Sequence, residues 1–75
     1  MKKEVDLLMD LRGLRKEADI SMAKVARLSG IADSNISRME IGEAPSLVNA
    51  LKYARFLHLS VEEIWGIKET TDGGK

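Results

Sequence analysis

Along this 75-residue chain the apolar positions recur at helical spacing rather than alternating. Leu7, Leu8, Leu11, Leu14 and Ala18, with Arg15 among them, return every three or four residues, a period that stacks side chains on one face of an α-helix. It predicts a first helix over about residues 4–18. Gly13 falls inside that pattern at about 1 kcal/mol relative to alanine, which places it on the exposed side or where another backbone comes close. Ser21 then precedes MAKVARLSG, where its hydroxyl can accept from a free amide at a helix start, and Gly30 can close the helix in the left-handed conformation. This predicts a second helix over 22–29 with Val25 and Ala26 inward. A third is predicted from about 33 to 42, with Ile36 and Met39 inward and Ser34, Asn35, Ser37 and Arg38 outward; Ile31, in the connection, is expected to be buried.

Pro45 disfavours a helical conformation at Ala44 and marks a boundary. Leu47, Leu51, Ala54 and Leu57 mark a fourth helix reaching about residue 58. SVEEIW fits a capping box in which Ser60 and Glu63 satisfy each other's amides, opening a short fifth helix with Val61, Ile64 and Trp65. The last eight residues, KETTDGGK, are expected to form a polar, flexible tail. The pattern contains no strand alternation and no repeat, so the expectation is an all-α, compact five-helix domain over residues 1–67, followed by the tail at 68–75.

Composition narrows the function. A core this small buries only about 60% of the unfolded surface, so one domain is the limit. Without cysteine, and with His58 as the only histidine, the chain offers no disulfide framework, thiolate nucleophile or zinc motif. No metal, no cofactor and no enzyme activity are expected. No apolar run approaches the roughly 18 residues of a membrane span, and a cytoplasmic protein without a membrane partner is expected. The formal net charge is zero, yet residues 12–38 carry six basic side chains (Arg12, Arg15, Lys16, Lys24, Arg27, Arg38) against three acidic ones (Glu17, Asp19, Asp33). Residues 39–75 carry four against six. Such an imbalance makes either a local basic face or a solvated surface.

The segment SMAKVARLSGIADSNISRME joins a capped short helix, a glycine-containing turn and a second short helix, the plan of a helix-turn-helix over about residues 21–42. From Leu7 to Trp65 the chain resembles the phage-repressor type of this motif, the lambda repressor, Cro and Xre-like family. LRGLRKEADIS is similar to that family's first helix and the cap of its second, VARLSGI to the second helix and turn, SNISRMEIG to the recognition helix, and PSLVNALKYARFLHLSVEEIW to the fourth and fifth helices. The resemblance implies a lambda-repressor-like fold and a sequence-specific regulator of transcription, a small repressor that binds double-stranded DNA at a palindromic operator.

Carried over residue by residue, the resemblance implies that Asp33, Ser34, Ser37 and Arg38 read base edges, while Ser21, Lys24 and Asn35 meet the DNA backbone. Arg38 can bond guanine O6 and N7 bidentately, with about 1 to 3 kcal/mol of discrimination; the competing reading is a solvated surface arginine. Arg15 and Glu40 correspond to a family ion pair that ties the recognition helix to the scaffold, so losing either should unfold the domain rather than change its base preference. Asp33 either replaces Ala32 as the helix cap, sits in the first turn beside the helix dipole, or accepts from cytosine N4. The cap is the preferred role.

The departures are also informative. Met22 stands where the family has a phosphate-binding glutamine. Asp19 and His58 replace helix-closing glycines, and Ile41, Glu43 and Ala44 replace polar or basic residues after the third helix. A homodimer is expected, with Trp65 and Ile67 as its candidate surface. The alternative reading keeps the scaffold but makes its main partner a second protein, as in an antitoxin or co-regulator with weak or autoregulatory DNA binding.

Overall fold

A computed structural model describes residues 5–67. The Asp10 carboxylate accepts the Gly13 amide at 3.0 Å, and this cap sets the start of the first helix, α1 (Leu11–Glu17). The periodic pattern placed that start near residue 4, and the structure corrects it. Residues Val5–Leu7 instead form β1, paired antiparallel with β2 (Trp65–Ile67) in the register Val5↔Ile67, Asp6↔Gly66 and Leu7↔Trp65. The fold is therefore mostly helical with a small two-stranded sheet, which the all-α expectation lacked. Residues 4 and 68–75, assigned from the sequence to the first helix and the tail, lie outside the described residues.

Between the strands run α2 (Met22–Ser29), α3 (Asp33–Glu40), α4 (Leu47–Leu57) and α5 (Val61–Ile64). Their starts follow from short polar side chains. Ser21 Oγ accepts the Lys24 amide and Ser46 Oγ the Asn49 amide, both at 3.1 Å. At α5 the Glu63 carboxylate accepts the Ser60 amide at 2.9 Å. Replacing a hydroxyl cap of this kind by alanine costs about 1 kcal/mol.

The ends of the first four helices follow from left-handed residues. Asp19 (φ 59°), Gly42 (φ 99°) and His58 (φ 61°) each close a helix with a reversed pair of bonds. The amides of Asp19 and Ile20 return to Lys16 and Arg15, those of Gly42 and Glu43 to Met39 and Arg38, and those of His58 and Leu59 to Arg55 and Ala54. This pairing satisfies carbonyls that a helix end otherwise leaves orphaned. Gly30 (φ 80°) closes α2 by the simpler bond from its amide to Ala26 at 2.9 Å. The third helix thus ends at Glu40, two residues before the end expected from the sequence.

The core is assembled from every helix: Leu11 of α1, Val25 of α2, Ile36 and Met39 of α3, Ala50, Tyr53 and Ala54 of α4, and Ile64 of α5, with Ile31 from the turn and Trp65 from β2. Tyr53 stacks on Phe56 and lies tilted against Trp65. Leu47 and Leu51 are 72% and 54% exposed, because α4 turns Ala50, Tyr53 and Ala54 to the core instead. Trp65, offered from the sequence as a candidate dimer surface, is only 6% exposed and belongs to the core; Ile67, its companion, is 79% exposed.

Candidate nucleic-acid interface

α3 is short, and its ends are fixed from both sides. At its start the turn after Gly30 sinks Ile31 into the core, and Lys52 of α4 donates to the Gly30 carbonyl at 3.1 Å. At its end Arg15 of α1 holds Glu40 bidentately, Nε to Oε2 at 2.7 Å and Nη2 to Oε1 at 3.2 Å, while Nη1 donates to the Ile20 carbonyl at 3.2 Å. The two side chains are 12% and 4% exposed. The hydrogen bond to Glu40, and the charge of that carboxylate, hold the Arg15 guanidinium above its ordinary pKa against the opposing effect of burial. Each of its nitrogens is engaged with protein oxygens, so Arg15 is a strut and not a ligand contact.

With Ile36 and Met39 buried and Glu40 held, the rest of α3 faces outward. Asp33, Ser34, Ser37 and Arg38 are all exposed and fall on one arc of the helix, while Asn35 is half-buried at its flank. Arg15–Glu40 is the only ion pair among the described residues, so the Arg38 and Lys24 cations are unpaired there. Asn35 and Arg38 line a groove between α3 and the start of α4, completed by Met39, Glu43, Pro45 and Asn49. Asn49, half-buried one turn before the buried Tyr53, was not singled out from the sequence.

Asp33 requires a correction. The N-cap position is Ala32 and it makes no side-chain cap bond; the preferred role of Asp33 as a replacement cap is not what the structure holds. Asp33 occupies the first helical position, where the dipole favours an anion by about 0.3 to 1 kcal/mol. Ser21 and Lys24 are both exposed at the start of α2. The Ser21 oxygen already accepts the Lys24 amide, which leaves its proton free to donate. Met22 packs partly buried against the core, so the residue that cannot bind a phosphate serves as an apolar anchor.

Other chemistry is sparse. Among the described residues no group of three His, Cys, Asp or Glu side chains could hold a metal ion, and no helix is long and apolar enough to cross a membrane. What the geometry presents is a protruding polar helix face held at both ends by a rigid scaffold, with free positive charge beside it. That defines a helix-turn-helix module, in which the second helix of the pair is offered to a groove. The sequence profile of the helix-turn-helix family matches residues 11–64. The chain belongs to this family, in its Xre-like branch, whose members are DNA-binding regulators. No curated protein matches the chain.

Proposed function

We propose that this chain is a sequence-specific transcriptional regulator, a small repressor that binds a palindromic operator as a homodimer, with one α3 in the major groove of each half-site. The observation that carries the reading is the outward arc of Asp33, Ser34, Ser37 and Arg38 on a helix held in place by the Arg15–Glu40 pair. Arg38 supplies the strongest base contact through its two parallel donors, and Ser34 and Ser37 contribute weaker discrimination. Ser21, Lys24 and Asn35 hold phosphates on either side. The protein acts in the compartment that holds the DNA, the cytoplasm of a bacterial or phage-infected cell.

The exposed sequence after α3 favours a second reading. Ile41 is 72% exposed and is followed by exposed Glu43 and Ala44, where basic side chains would serve phosphate contacts. That surface suits a protein partner, so an antitoxin-like or co-regulator role with weak DNA binding is the alternative. Selection from random duplexes at two salt concentrations separates the two. A regulator enriches a palindrome with half-sites about 34 to 36 Å apart; no enrichment at low salt would leave the protein-partner reading standing.

A further inference from the structure

We infer that the gap between α1 and α4 is a binding site for a small, uncharged, single-ring molecule that carries one hydrogen-bonding oxygen. α1 packs on α3, and α4 on α2 and α5. Where α1 and α4 face each other they leave a cavity of about 200 Å³. Leu11, Leu14 and Ala18 line it on one side, Phe56 and Leu57 on the other, and Val25 of α2 between them. Leu14 is 40% exposed, so the cavity opens to solvent beside it. None of the residues assigned to DNA lines it. An apolar cavity of roughly 150 Å³ stays dry and takes up benzene; this one has room for a ring with a short substituent.

Two polar side chains in the lining, Tyr53 and Arg15, decide the chemistry of the occupant. Tyr53 is 2% exposed, and its hydroxyl has no hydrogen-bond partner among the described residues. Trp65 Nε1 is the one described side-chain atom that lacks both a partner and any opening. The Tyr53 hydroxyl therefore keeps an opening, and the cavity it lines supplies one. An oxygen on the occupant would accept the proton that the protein leaves unused. The Tyr53 ring stacks on Phe56 at 6.0 Å, so an aromatic occupant meets two rings at which offset or edge contacts add to burial. Arg15 excludes an anion. Each of its nitrogens is engaged with Glu40 or the Ile20 carbonyl, and a carboxylate buried there would find no free counter-charge. The occupant is therefore neutral, and the site stands whether or not the chain reads DNA.

The test is titration of the isotope-labelled full chain with acetophenone, followed through its backbone amide resonances. Saturable shifts are expected at Leu14, Ala18, Val25 and Leu57, with a dissociation constant on the order of 0.1 to 1 mM. Ethylbenzene, which has the ring without the oxygen, should shift the same amides more weakly. Benzoate, the charged analogue, should shift none of them at the same concentration. Tyr53→Phe has no hydrogen bond to lose and should fold; it is expected to weaken acetophenone about three- to tenfold, the worth of one hydrogen bond, and to leave ethylbenzene unchanged. Leu14→Trp, a larger side chain at the mouth, should weaken both probes on the order of tenfold with the helical circular dichroism spectrum retained. The inference is overturned if neither neutral probe gives saturable shifts at the cavity, or if the shifts centre on the exposed Leu47 and Leu51 instead. Benzoate binding as tightly as acetophenone overturns it too, as does acetophenone binding indifferent to both substitutions.

Discussion

Replacing Arg15 by methionine is expected to remove more stability than any exposed charge could supply. The Glu40 side chain is 4% exposed and both its oxygens are held by Arg15. Deleting the guanidinium thus leaves a carboxylate buried without its counter-charge, and the Ile20 carbonyl loses its donor. Breaking a buried pair from one side costs about 3 to 5 kcal/mol. With Arg15 itself 12% exposed, water can reach part of the vacated site, and the lower end, about 3 kcal/mol, is the working figure. A 75-residue domain has about 4 to 11 kcal/mol in total, so about a quarter or more of its stability depends on this contact. At roughly 4 to 8 °C per kcal/mol for a domain of this size, the midpoint should fall by on the order of 15 °C.

The assay is urea and thermal unfolding followed by the fluorescence of the single, buried tryptophan, Trp65. Glu40→Met and the double variant complete a double-mutant cycle. The double variant is expected to recover much of the loss, because methionines of similar reach leave no orphaned charge. A cost below about 1 kcal/mol for Arg15→Met, the range of exposed pairs, would refute the argument. Unchanged stability with an altered base preference would refute it too, since Arg15 would then be reading DNA.

Three further outcomes are expected. Asp19→Gly and His58→Gly each relieve an L-residue held at positive φ; each should raise unfolding free energy by about 0.5 to 1 kcal/mol, the steric relief of about 1 to 2 kcal/mol less the added freedom of the unfolded chain. A fall in the urea midpoint of either would contradict the left-handed closures. Burial, reinforced by the Glu40 charge and opposed by Arg15, raises the Tyr53 hydroxyl pKa above the ordinary value of about 10. The folded chain therefore keeps that proton longer than the unfolded chain. Its contribution is fully present below pH 10 and lost as pH rises through the folded value, so Tyr53→Phe should flatten the decline of stability above pH 10 and change nothing at pH 7. Finally, Arg38→Ala should relax preference at one position per half-site with about 1 to 3 kcal/mol of lost discrimination. Lys24→Ala should weaken all duplexes alike and lower the salt slope by about 0.9; the reverse pattern would exchange the two roles.

Much of the candidate site was legible because its signals are local. The cap at Ser21, the turn at Gly30, the inward Ile36 and Met39 and the outward Ser34, Ser37 and Arg38 follow from neighbours within one or two helical turns. Helix closure at Asp19 and His58 was legible only by likeness to the family. Asp33 shows the limit even of local reading: a residue able to cap stands one position too late, and the backbone places Ala32 there instead.

The amino-acid sequence by itself determined four of the helices to within a few residues, the turn between α2 and α3, and the face that α3 turns outward. Periodicity and capping act over three or four residues, and no distant contact is needed to read them. Tertiary structure alone decided the rest. β1 and β2 are three residues each, too short to show alternation, and they exist because Val5 meets Ile67 from the opposite end of the chain. Which leucines of α4 were buried depended on which side of the helix the other elements covered; Tyr53 and two alanines took the core, and Leu47 and Leu51 were left in solvent. Trp65 became core for the same reason, since burial is a property of the assembled surface and not of the residue.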